Sequence, residues 1–268
     1  MRIVLGFILS LSLYSCGMRD SREIVIVSSS IDALKPFNKV QGEKGEVFEA
    51  HYMDTQEIAD RFGVDLKGAK QIQAFGDYVV AVEGRNFMPG ESWKIYSGSV
   101  LGLSPGNFTF TANEHGELVD LEKGIELRNF FSSMCLPCPG EPNILLLISL
   151  DTHECLRLNL IPRPIEHSWG DGAKVSLVLG KPNGLVYYVY GDGFKSEETI
   201  KAFSVSSGEK RQFDIRTNEK GSFYLVLEPG VIGFEGGRAV LSLTRIDCGE
   251  DNPSAKIGYS WGKAVNNR

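Results

Sequence analysis

The chain has 268 residues, 42% hydrophobic and 23% charged, with 30 glycines, 11 prolines and a formal net charge of −6. That composition suits one or two ordinary hydrophobic cores and is neither collagen-like nor broadly disordered. The acidic balance offers no basic face for phosphate contacts, which argues against a nucleic-acid partner. The one long apolar run, at the N-terminus, is shorter than the roughly 20 residues a spanning helix needs.

Met1 and Arg2 supply a positive start, and residues 3–13 form an apolar stretch broken only by Gly6, Ser10 and Ser12. Leu13, Tyr14, Ser15, Cys16 and Gly17 follow. The three-part layout is that of a secretory signal, expected over residues 1–15. Its end resembles the bacterial lipoprotein lipobox: Leu13 stands three residues before Cys16 and the small Ser15 just before it, while Tyr14 is bulkier than the usual residue at its place. The resemblance implies that Cys16 becomes the first residue of the mature chain and carries acyl chains. Their burial in a membrane is worth about 0.8 kcal/mol per CH₂. Gly17 in place of Asp after the cysteine implies the outer membrane where the host has two. Localisation is thus expected in the cell envelope.

Residues 16–50 read as a lipid-anchored tether, with Ser, Lys, Glu and Gly mixed around one β-prone run, Ile24, Val25, Ile26 and Val27. Residues 51–70 read as a short helical segment. There Ile58, Phe62 and Leu66 fall at helical spacing behind Thr55 as N-cap.

Two copies of one β unit are expected after that. Val82, Gly84 and Phe87 match Val189, Gly191 and Phe194 at an offset of 107, and the same offset sets Trp93 to Ser97 beside Ile200 to Ser204. Asn113 and Gly116 match Asn218 and Gly221. Ile148 to Leu150 with Cys155 match Leu241 to Leu243 with Cys248, and Ser168, Trp169 and Gly170 match Ser260, Trp261 and Gly262. Matches in the same order indicate a duplication. The offset falls to 93 across the middle, so the first copy carries an insertion, expected at residues 128–143.

Short alternating apolar runs such as Tyr78 to Val82 and Leu185 to Tyr190, separated by Pro-Gly and Asn-x-x-Gly turns, predict antiparallel β-sandwiches. Asn or Gly in those turns permits the positive φ of a tight reversal. Gly84 and Gly191 are expected to end a strand where the backbone bends, before Phe87 and Phe194 enter the core.

The first copy reads Gly84, Phe87, Pro89, Gly90 and Glu91, then Asn113 and Gly116; the second keeps Gly191 and Phe194 but has Lys195, Ser196 and Glu197 at the Pro-Gly turn. These residues resemble bacterial Ig-like and IPT/TIG-type modules of surface proteins. The fold class expected is mainly β, with two tandem Ig-like antiparallel β-sandwich domains at residues 71–166 and 167–268 after a short mixed segment. The resemblance implies a spacer, an adhesive unit, or a domain that contacts protein or glycan. It brings no catalytic residues with it.

Candidate chemistry is sparse. Beyond Cys16, the cysteines are Cys135, Cys138, Cys155 and Cys248, in a compartment that permits disulfides. A bridge from the Cys135/Cys138 insertion to Cys155 is the preferred pairing, with Cys248 free or joined to the remaining insertion cysteine. The matched places of Cys155 and Cys248 leave a buried reduced thiol as an alternative. Cys135 and Cys138 with His153 and Cys155 also form a set of zinc-ligand types, without the familiar second motif. A redox C-x-x-C would need a helix N-terminus at its attacking thiolate, and Pro139, Gly140 and Pro142 oppose one. Tyr188 and Tyr190 alternate onto one face of a strand; left exposed, they would stack on sugar rings or anchor a protein.

The reading is therefore a non-catalytic, lipid-anchored binding, adhesion or spacer protein with no cofactor or bound metal. Its partners are the membrane, through Cys16, and an envelope protein or glycan. A glycan-binding module and a zinc- or redox-dependent protein are the alternatives.

Overall fold

The computed structural model describes residues 35–75, 78–129, 131–134, 137–246 and 253–265. The expected signal segment, residues 1–15, and Cys16, Cys135 and Cys248 lie outside the described residues. The chain is mostly β and forms two tandem antiparallel sandwiches.

The first domain begins with β1 (Lys39–Gln41) and β2 (Val47–Tyr52), followed by helices α1 (Thr55–Phe62) and α2 (Leu66–Phe75). Then come β3 (Tyr78–Arg85), β4 (Ser92–Ser99), β5 (Gly102–Ala112), β6 (Leu118–Asp120), β7 (Ile125–Glu126), β8 (Phe131–Met134), β9 (Asn143–Ser149) and β10 (Cys155–Leu160). The second domain is all β: β11 (Ile165–Ser168), β12 (Lys174–Leu179), β13 (Tyr187–Asp192), β14 (Thr199–Ser206), β15 (Glu209–Arg216), β16 (Phe223–Leu227), β17 (Gly236–Arg245) and β18 (Ser254–Gly262).

The sheet orders repeat. Order β1-β2-β3-β8 in the first domain corresponds to β11-β12-β13-β16 in the second, and β10-β9-β4-β5 corresponds to β18-β17-β14-β15. The registers repeat too: Val47 faces Arg85 and Tyr52 faces Val80, as Lys174 faces Asp192 and Leu179 faces Tyr187. The duplication therefore reaches back to β1. The segment expected to be a tether up to residue 50 instead supplies two strands, in which Phe48 and Ala50 are buried in the core. Polar composition concealed them, because β1 is a short edge strand of mostly exposed residues.

Two insertions distinguish the first copy. One is the helical pair between β2 and β3, which covers the outer face of that sheet with Ile58, Ala59 and Ala69 against Val79 and Ala81. The single expected helix over residues 55–70 is broken at Gly63, which takes the left-handed conformation. Asp54, not Thr55, is its N-cap, in a capping box with Glu57. The second insertion is the β6-β7 hairpin, which widens the sheet beyond β5. It precedes residues 128–143, where the extra residues were expected. The reason is register: Val80 faces Ser132 as Tyr187 faces Leu227, so equivalence is already restored at β8.

Each sandwich has its own core, with Trp93, Phe87, Phe48 and Leu145 in the first and Trp261, Phe194, Tyr187 and Leu241 in the second. Gly116 and Gly221 close their hairpins at positive φ, as the Asn-x-x-Gly reading expects. Gly84 and Gly191 do not have positive φ; their role is space. A Cβ at Gly84 would lie 2.8 Å from Leu127 and from Phe87, and one at Gly191 would collide with the Phe223 ring. Two of the sequence matches are not structural equivalents. Trp169 lies in the β11-β12 hairpin, whereas Trp261 lies in β18. Lys94 faces Ile148 as Lys201 faces Thr244, and Cys155 faces Ile148 as Ser254 faces Thr244, so the counterpart of Cys155 is Ser254 and not Cys248.

Candidate functional site

Buried charges recur at one repeated position. Glu198 and Arg245 are both about 1% exposed. Arg245 donates from Nε to Glu198 Oε1 at 2.6 Å and from Nη2 to Oε2 at 3.0 Å, a two-bonded fork on the carboxylate. It also donates from Nη1 to Asp171 at 2.7 Å and lies 5.1 Å from the Phe194 ring centre and 5.7 Å from that of Trp169. The hydrogen bond from Arg245 holds the Asp171 carboxyl below its ordinary pKa, against the cost of desolvation.

The first domain carries the same node with its charges rearranged. Glu91, at the position of Glu198, accepts from Ser149 Oγ at 3.0 Å, Thr152 Oγ1 at 3.2 Å and Lys44 Nζ at 3.3 Å. Lys44 occupies the place of Asp171: the hairpin bonds Gly42 N–H to Glu46 O and Trp169 N–H to Ala173 O match, as do positive-φ Gly45 and Gly172. Ser149 stands at the place of Arg245, since Trp93 faces Ser149 as Ile200 faces Arg245, and Thr152 adds a donor from the loop after β9. Desolvation opposes the charge on Lys44, but Glu91, with Glu154 and Glu46, raises its pKa above the ordinary lysine value. In each copy the node joins the β1-β2 type hairpin to the opposite sheet. The offset of 107 pairs Glu91 with Glu198 directly, a signal that the Pro-Gly-Glu motif obscured by aligning it with Glu197.

The remaining predicted residues disperse. Tyr190 is buried and Tyr188 half-buried. They pack on Tyr224 across the strand pair, with ring centres 5.2 and 5.9 Å apart. Their face of the sheet is turned toward the first domain, where Arg157 on β10 lies within electrostatic reach of Tyr190. The condition for a binding pair, exposure of both rings, is therefore not met: Tyr190 is buried and Tyr188 half-buried against Tyr224.

Cys155 is an exposed free thiol at the head of β10. Cys138 lies in the core of the second domain, among Tyr187, Leu179 and Tyr259. Cys138 is not bridged to Cys155, because it is seated in the second domain while Cys155 heads a strand of the first; Cys135 lies outside the described residues. The buried-thiol alternative also fails for Cys155, whose strand is at the sheet edge. Cys138, His153 and Cys155 are not gathered into a zinc set, and among the described residues no group of three or more His, Cys, Asp or Glu is placed to hold a metal.

A broad concavity in the second domain carries no sequence motif. In the second domain β15 and β16 are the edges of opposite sheets, and between them opens a cleft of about 1010 Å³. Its floor is apolar, with Phe213, Ile215, Leu225 and Leu227, and Arg211 and Tyr259 stand in its wall. In the first domain β6 and β7 extend the corresponding edge at β5. An uncovered strand edge with an apolar floor can accept an extended segment by backbone pairing. Mixed charge along β15 keeps it soluble: Glu209, Lys210, Arg211 and Asp214 are all exposed.

No protein-family model matches the chain, and no curated protein does. Among solved structures the chain is similar to one described as a tetra-tandem repeat in the extending region of a large adhesion protein. The likeness has 9% identity and a TM-score of 0.23, and it covers 83% of this chain. The chain spans about half the length of that structure, 53%.

Proposed function

We propose that this chain is a lipid-anchored cell-envelope protein whose two Ig-like modules work without catalysis, as a binding and spacing arm. The observation that carries this reading is the repeated node. The buried carboxylates of this node close each sandwich: Glu198 on Arg245, Glu91 on Lys44, Ser149 and Thr152. They bind a hairpin to a sheet and leave the cleft lined by other residues. Duplicated scaffolds with private cores suit a load-bearing or display role. Contact with an envelope partner falls to the second module, whose β15 edge is uncovered. The glycan reading, which needed Tyr188 and Tyr190 at the surface, loses its support.

Anchoring is tested by Cys16→Ser in the full precursor. The wild type is expected to incorporate labelled palmitate and sediment with membranes, and the variant to lose both. Equal labelling and equal sedimentation of the two would overturn the lipoprotein reading.

A further inference from the structure

The loops that follow β8 and β16 have equal length, 135–142 and 228–235, and their tips have the same conformation. Glu141 N–H donates to Cys138 O at 3.0 Å, and Phe234 N–H donates to Val231 O at 3.2 Å. Gly140 and Gly233, each third in its turn, have φ of +76° and +87°. These are the reversals that glycine at that position permits.

Their surroundings differ. In the first copy the turn is seated in the second domain, where β11 and β12 diverge. Gly140 N–H donates to Arg163 O and Leu179 N–H donates to Gly140 O, both at 2.8 Å. Arg163 Nη1 donates to Pro137 O at 3.1 Å. A Cβ at Gly140 would lie 2.9 Å from Leu177 O, so the fit needs glycine. The same turn of the second copy has no such seat: Ile232 is 90% and Phe234 55% exposed, and half-exposed Leu185 stands below them, near Gly230. Val231, like Cys138, is tucked in, so the apolar tip alone faces outward.

We propose that the turn of residues 231–234 is a docking tip for a separate protein, a β-sandwich module offering a diverging strand pair of the kind β11 and β12 offer to residues 138–141. The junction already present between the two domains specifies the partner's chemistry: one free carbonyl, one free amide, and an apolar rim to receive Ile232 and Phe234. A second copy of this chain does not supply it. Its β11 and β12 hold their own turn. The equivalent ends in its first domain are taken, at Phe37 by pairing with Asn159 and beyond Tyr52 by the entry into α1.

The proposal rests on the binding-arm reading and adds the site and the partner class. The test places a photo-crosslinking amino acid at Ile232 of the full chain in its own cells, with exposed Leu121 in the first domain as the control position. The expected result is a product from Ile232 alone, whose crosslinked peptide, identified by mass spectrometry, lies at the end of a paired strand in a β-sandwich module. Adding Phe234→Asp is expected to abolish it without changing the melting temperature. No product above the Leu121 control, or products with lipid, with a second copy or with a partner of another fold, would overturn the proposal. Membrane sedimentation of the same chain separates its failure from failure of the anchoring.

Discussion

Replacing Arg245 with Leu is expected to cost the second domain about 3–5 kcal/mol, the usual penalty for leaving one partner of a buried ion pair uncompensated. Glu198 is essentially inaccessible, and both its oxygens accept from Arg245. At 4–8 °C per kcal/mol for a domain of this size, its melting transition falls by roughly 12 °C or more. Calorimetry of the intact chain measures it. The double replacement Glu198→Leu with Arg245→Leu is expected to recover part of the loss, because an apolar pair no longer strands a carboxylate. Thr152→Ala, in the corresponding node of the first domain, is expected to cost only about 1 kcal/mol, since Glu91 keeps Ser149 and Lys44. The acid limb carries a smaller signal. The folded pKa of Asp171 is depressed by Arg245, so its contribution is present above the ordinary carboxylate range and is lost as the pH falls through the depressed value. Arg245→Leu removes that slope, though half-exposed Asp171 makes it modest.

Gly221→Ala is the second large effect, expected to cost about 2–5 kcal/mol, as left-handed backbone strain and overpacking combine. Its φ is +70°, and a Cβ there would collide with the Phe194 carbonyl. Gly116→Ala has the same strain, but the Cβ would lie 3.0 Å from the Phe87 carbonyl, so a small shift relieves it and the loss is smaller. Chemical denaturation of the two variants, followed at the domain transitions, checks the order. Equal losses would show that backbone conformation alone, and not the approach of the Phe194 carbonyl, sets the requirement.

The hairpin glycines were readable because Asn-x-x-Gly between alternating runs states a local conformation, and it recurs as Asn113 to Gly116 and Asn218 to Gly221. The sandwich fold was legible for the same reason. The N-terminal strands were not, since β1 is exposed and β2 reads as an isolated run until its partner β3 is known. The tyrosines were undecided for a related reason: alternation shows that Tyr188 and Tyr190 share a face, but only the tertiary structure shows what lies over it. The cysteine pairing rested on Cys138 and Cys155 lying in one copy of the sequence, whereas Cys138 is seated in the core of the second domain. The buried node was present in the text as two glutamates at a constant offset, but its cations come from non-equivalent places, Arg245 on β17 and Lys44 in a hairpin. The open cleft and the exposed turn carry no motif; they emerge only by comparing what each copy covers.

The central claim is that one turn, present twice, is seated in the first copy and unseated in the second. Backbone hydrogen exchange of the intact chain tests it most directly. Gly140 and Leu179, which share the seated bonds, are expected to exchange slowly, at the rate of global opening, and Gly233 at close to the rate of an unprotected amide. Equal exchange at Gly140 and Gly233 would contradict the account.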